Sequence, residues 1–399
     1  MRPFIPSVFI RLSPVSVFTR LSLPGLFLVL TLLASCSKSG SSKASSSTPT
    51  ANSAPLAGTV AKTDTLQVMA YSVLYYGNGC QGPVDSLDVY FRSMIQYMQP
   101  DLLSCEKMEA FNPTPGASGN LADHITDSVL NASFPGRYSY ATPTNVSNAG
   151  DMSVLFYNQQ KLALRSVTAL EALVTDFDLY QLYYKDPNLS ITHDTTFLYV
   201  VVNHTQSGNS STERDTQVSD YMAALRTKFA WFPNLINMGD FNTSNSFEAG
   251  YQSIVTSADS TTVLYDPPYY PDQALTYPGN WDVTPYLVES YLTTSTRQST
   301  TVPNSCGTGN GAKSWYDHIF LSPWLVKGSN YIQYIPHSYQ TIGNDGNRLG
   351  VDVNSSTPVA NTSVPASVLQ ALFYFSDKYP VAVKLQVQAN RNAYSLQDP

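Results

Sequence analysis

From about Asp64 onward the chain alternates between short strand-like apolar runs and helical segments, and no internal repeat interrupts that order. In LQVMAYSVLYYG, residues 66–77, Leu66, Val68, Ala70 and Ser72 fall on one face of a strand, because successive side chains point to opposite sides. The next segment, DSLDVYFRSMIQYM, places Leu87, Phe91, Met94, Ile95 and Met98 at helical spacing. Pro100 then introduces the strand DLLSCEKM. Further strands are predicted at MSVLFYN (152–158), TFLYVVVNHT (196–205), INMGDFN (236–242), WYDHIFLS (315–322) and the closing run PVAVKLQV, with the amphipathic helix TQVSDYMAALRTKF before INMGDFN. Strands in mostly antiparallel pairs with helices outside them predict an α+β fold, a four-layer α/β/β/α sandwich of two packed sheets between helical layers.

With 43% hydrophobic and 13% charged residues, the 399-residue chain can bury a large core unaided, and a monomer is expected. Residues 1–35 read as a lipoprotein signal peptide: three arginines and no acid, then an apolar stretch broken by Pro24 and Gly25. It ends in LASC (33–36), where cleavage would leave Cys36 as the lipidated N-terminus. Residues 36–63 read as a Ser-rich flexible tether, 64–388 as the folded domain and 389–399 as a C-terminal tail. The expectation is an exported protein, lipid-anchored to a bacterial cell envelope membrane. Three of the 22 basic residues and none of the 29 acidic ones precede position 36, so the remaining chain has a net charge of −10. That charge disfavours tight nonspecific binding to nucleic acid. Cys80 (GNGCQG) and Cys306 (PNSCGTG) lie in Gly-rich loop sequence and are candidates for a disulfide in an oxidising compartment, whereas Cys105 reads as a buried thiol.

The motifs LQVMAYSVL, PDLLSCEKME, SVLFYN, VVNHTQSG, NMGDFN, WYDHIFLS and SDKYPV, in that order over residues 64–388, together resemble those of the endonuclease/exonuclease/phosphatase family, the DNase I-like fold. Such enzymes hold a magnesium- or manganese-like ion with oxygen ligands and use a histidine to activate water against a phosphoester. The resemblance implies that His204 contacts the scissile phosphate, that Asp240 and Asn242 orient water and steady the developing charge, and that Asp317 orients the catalytic base. It places Asp377 at the metal. Three positions depart from the family pattern: Ser72 stands where an asparagine is usual, Lys107 where the principal metal glutamate is usual, and Lys378 where the water-activating histidine is usual. Glu106 neighbours Lys107, but adjacent strand residues point to opposite faces, so it could replace the glutamate only across a bulge.

These departures imply that no metal cofactor is held, Mg2+ or Mn2+ being expected only if the chain is active. The first reading is a chain impaired in hydrolysis, with Lys107, Lys378 and His204 converging on a phosphate-containing or other anionic small ligand. The second is an active phosphoester hydrolase, such as a nuclease, phosphatase or sphingomyelinase-like enzyme, in which Lys378 acts as the base with its pKa lowered by Lys107 and by burial. His318 reads as a hydrogen-bonding wall residue.

Overall fold

A computed structural model of the protein describes residues 62–172, 175–269, 279 and 281–389. The strands in chain order are β1 (Lys62–Tyr76), β2 (Leu102–Glu109), β3 (Tyr138–Ala141), β4 (Asp151–Asn158), β5 (Leu162–Ala172), β6 (Asp176–Tyr184), β7 (Phe197–His204), β8 (Leu235–Asp240), β9 (Asp317–Leu321), β10 (Ile332–Tyr334), β11 (Gln340–Thr341) and β12 (Val381–Ala389). Seven of them form one sheet in the order β10-β12-β1-β2-β4-β3, with β11 also paired to β12. The other five form a second sheet in the order β5-β6-β7-β8-β9. Only β1 with β2 and β7 with β8 run parallel; the remaining pairs are antiparallel.

β1 is buried on both faces, and the reason is its position between two layers. Its Leu66, Val68 and Ala70 are covered, as are the alternate residues Met69, Tyr71 and Val73. Tyr71 packs edge-on against Phe91 of the helix Val84–Met98 and lies 5.4 Å from Phe375 of the helix Ala366–Phe375. Those two helices pack together through Phe91 and Phe375, whose rings are 4.6 Å apart. Burying each large apolar side chain contributes about 1.5–3 kcal/mol, so this face holds the helical layer firmly. The first helix ends where Gln99 turns left-handed (φ 46°) and Pro100 follows. On the second sheet the helix Ser211–Lys228 packs beside Ala249–Val255, pinned by Arg214, which donates to both carboxylate oxygens of Glu248 at 3.0 and 2.9 Å. The sheets meet through β1 and β2 against β7 and β8, giving the expected sandwich of two sheets with helices outside.

The folded body is slightly longer than expected: Lys62 and Thr63 belong to β1 rather than to the tether, and Ala389 belongs to β12 rather than to the tail. Residues 1–61, including Cys36, lie outside the described residues. A disulfide joins Cys80 and Cys306, and Cys105 is a buried free thiol.

Candidate functional site

The two parallel strand pairs place their carboxyl ends at one rim of the sandwich, and the polar residues that close the sequence runs gather there. Asp240 and His204 are the last residues of β8 and β7 and are direct partners across the ladder. Asp317, the first residue of β9, pairs with Asp240. Asp377 and Lys378 immediately precede β12, and Asp151 opens β4. β7 and β8 approach so closely that a Cβ on Gly239 would sit 2.0 Å from the Asn203 carbonyl oxygen, and its φ of 138° suits glycine alone. The glycine of GDFN is therefore required by packing.

The first sheet supplies Ser72 and Glu106, which are register partners in the parallel pair β1–β2. Both strands bulge beyond that point: the β1–β2 register shifts between Ser72 and Tyr76, and the β2–β4 register shifts between Cys105 and Met108. Leu74, Tyr75 and Lys107 all have positive φ, 47°, 55° and 61°. This bulge corrects the expectation for position 107. Glu106, fully buried, has Asp317 and Asp240 as its charged neighbours, while the Lys107 ammonium lies outward, 4.6 Å from the centre of the Tyr75 ring. The acid expected at Lys107 is thus present one residue earlier. Ser72 does stand at the site, buried, with no hydrogen-bond partner for its hydroxyl among the described residues.

Lys378 is the only ammonium among the buried acids of the described site. Its Nζ is 2.9 Å from Asp240 Oδ2 and 3.6 Å from Asp317 Oδ2, a close ion pair rather than a well-directed hydrogen bond, and it also lies 4.7 Å from the Tyr316 ring centre. Burial alone would depress its pKa, but Asp240, Asp317 and Asp377 outweigh burial and raise it. The expected lowering of the Lys378 pKa is therefore corrected: the carboxylates hold it protonated. Burial pushes Asp240 up, yet Lys378, with His204 and Lys107, brings it below its ordinary value. Asp317 is pushed up to about 8 by burial, with Asp240 and Asp377 adding repulsion against the pull of Lys378. Glu106 is raised well above its ordinary value, first by burial and then by Asp317 and Asp240. Burial and mutual repulsion thus favour the protonated forms of Glu106 and Asp317, while the Lys378 ammonium favours the ionised form of Asp240.

The remaining expected residues take other partners. Asp377 Oδ2 accepts from the backbone N–H and the hydroxyl of Thr308, at 2.7 and 2.9 Å, which ties it to the loop after Cys306. Asn242, left-handed at φ 48°, donates its side-chain amide to the Thr205 carbonyl at 2.9 Å. His204 Nδ1 is 3.2 Å from Asp151 Oδ1, and its buried Nε2 has no partner among the described residues. Burial raises Asp151, but His204 and Lys107 more than offset it and leave its pKa low. Asp151 escaped the sequence reading although its signal, an acid directly before MSVLFYN, was available. A cavity of about 130 Å3 is lined by Tyr75, Asp151, Thr175, His204, Thr205 and Gln206, among others. His204 lines this cavity, Lys107 lies over the ring of its Tyr75, and Lys378 is engaged by Asp240 and Asp317, while all three cations act on Asp240. His318 is a wall residue: it is fully buried, 3.1 Å from Asp266 Oδ2 and 3.1 Å from the Trp315 carbonyl, and it stacks on the Trp315 ring.

The Lys378 ammonium lies among the acids that would otherwise hold a divalent ion. Among the described residues no three of Glu106, Asp151, His204, Asp240, Asp317 and Asp377 bring ligand atoms within 4.8 Å of one another; the group that does is Asp85, Asp88 and His124, away from this rim. There Asp88 is already engaged by the Tyr76 hydroxyl and His124. A dication about 4 Å from the Lys378 ammonium would meet a repulsion on the order of 8 kcal/mol at an effective dielectric near 20.

No family model matches the chain, and no match is found among curated proteins. Among solved structures the chain is similar to the human Nocturnin catalytic domain with bound sulfate, at 15% identity, 82% of this chain and 96% of that one covered, and a TM-score of 0.47. It is also similar to an endonuclease/exonuclease/phosphatase family protein from Bacteroides thetaiotaomicron, at 17% identity, 83% and 98% coverage, and a TM-score of 0.46. A third is the mannosyl-6-phosphatase of Bacteroides thetaiotaomicron, at 17% identity, 80% and 99% coverage, and a TM-score of 0.44.

Proposed function

We propose that this chain is an exported lipoprotein of the endonuclease/exonuclease/phosphatase type, lipid-anchored at Cys36, that no longer hydrolyses phosphoesters at an enzymatic rate and instead binds a small phosphate-containing or other anionic ligand. One observation carries the reading: the Lys378 ammonium lies 2.9 Å from Asp240, where a proton acceptor would be needed, and its neighbours keep it charged. A protonated amine cannot take a proton from water. The ligand side rests on the cavity flanked by His204, whose Nε2 is unpartnered, and by Lys107 over Tyr75. An imidazole N–H at Nε2 would suit an oxyanion.

A second reading, a working hydrolase, is favoured by the buried oxygens of Glu106, Asp317, Asp377 and Ser72 that have no hydrogen-bond partner among the described residues. The experiment is turnover of plasmid DNA, sphingomyelin and bis-p-nitrophenyl phosphate by the full chain in detergent, with Mg2+ or Mn2+. We expect no chelator-sensitive product. Robust turnover of any of the three overturns the first reading in favour of the second. Binding of inorganic phosphate, weakened by His204→Ala and by Lys107→Ala, tests the ligand half separately.

A further inference from the structure

A second cavity, of about 400 Å3, lies on the β11 side of the molecule and shares no lining residue with the rim described above. Tyr97 enters it from the last turn of the helix Val84–Met98, Ser290 and Tyr291 from a short turn, and the stretch from Tyr339 to Asn344 forms its floor. None of the side chains lining it is charged. Its size falls in the range of small-molecule sites, about 300–1,000 Å3.

The floor is fixed and the rim is free. Thr341 donates its hydroxyl to the Tyr291 carbonyl at 3.2 Å, and Asn344 donates its amide to the Glu289 and Leu292 carbonyls at 2.7 and 2.9 Å. The Tyr291 ring is stacked on buried Trp315 with centroids 5.3 Å apart. By contrast, the side chains of Ser290 and Gln340 and the phenol of Tyr97 make no hydrogen bond among the described residues, and Tyr97 is 43% exposed. A preformed floor lowers the ordering cost of binding, and unpaired hydroxyl and amide groups beside aromatic faces supply directional contacts.

We infer that this cavity binds a neutral mono- or disaccharide. Tyrosine faces carry negative charge density that suits the C–H faces of a sugar ring, and the amide and hydroxyl groups match its hydroxyls. The uncharged lining offers an anionic or cationic ligand no ion pair, and an anion would also meet the negative charge of the chain. This inference stands on the cavity alone and is independent of whether the carboxylate rim hydrolyses or binds phosphates.

The test is calorimetry and tryptophan fluorescence on the full chain, in a detergent without a sugar headgroup. Maltose, cellobiose, mannobiose and chitobiose serve as neutral probes, with glucose 6-phosphate as the charged control. At least one neutral disaccharide should bind saturably and change the tryptophan emission of the chain, with inorganic phosphate failing to compete. Tyr97→Ala and Gln340→Ala, both at exposed positions, should each weaken that binding roughly threefold to tenfold. Failure of all four disaccharides, preference for the charged sugar, or binding unchanged in both variants would overturn the inference.

Discussion

Asp317 and His318 are neighbours on β9 yet face two different kinds of buried charge. His318 has one acid, Asp266, whose Oδ2 also accepts from the Tyr251 hydroxyl at 2.9 Å, and the pair is enclosed by Trp281, Trp315, Tyr251 and Phe320. Asp317 has one ammonium, Lys378, but shares it with Asp240 and has Glu106 as a further acidic neighbour. The first side pairs one imidazole with one acid. The second holds more acid than base, and burial and repulsion raise the pKa of two of its acids, Asp317 and Glu106.

Each pair can be tested by removing one of its members. Lys378→Met should cost about 3–5 kcal/mol of stability in denaturant unfolding, because it leaves Asp240 buried without its counter-charge. Asp266→Asn should cost slightly less, about 3 kcal/mol, since Tyr251 still offers a hydrogen bond there. A loss below about 1 kcal/mol in both variants would mean that neither pair is formed as described.

Acidity sharpens the contrast. Asp317, raised to about 8, keeps a proton in the folded chain at pH values where the unfolded chain has released it. Stability should therefore fall as pH rises from about 4 to about 8, and Glu106 adds to the same trend. The carboxylates with lowered pKa, Asp240 and Asp151, act in the opposite sense only as pH falls below about 4. Asp317→Asn should flatten the slope between these limits, and an unchanged slope would assign it to other groups. The smallest expected effect is that of Glu106→Gln, within about 1 kcal/mol either way, because burial and the neighbouring acids already disfavour its charged form. A large loss would show Glu106 ionised and paired.

Much of the sandwich is legible in the sequence because its strands announce themselves by apolar runs closing on polar residues. β5 and β6 are less so: LALRSVTALEA alternates weakly and is only partly covered, and DFDLYQLYY mixes acids with tyrosines, so neither stands out by hydrophobic period. At the site, Asp240, Asp317, Asp377 and Lys378 come to one rim as their order in the chain suggests. Glu106 and Lys107 exchange the expected places because a bulge with left-handed Lys107 shifts the register by one residue, and a one-residue shift moves a side chain to the other face of a strand. Neither neighbour of Lys107 is a glycine, so composition gives no warning.

Titrating Mn2+ into the full chain at neutral pH, followed by water-proton relaxation, reads most directly whether the Lys378 ammonium excludes a dication from the carboxylate rim. The wild-type chain should show no stoichiometric Mn2+ at this rim, and Lys378→His should gain it. Tight binding of one Mn2+ by the wild type, abolished by Glu106→Gln, would contradict the account.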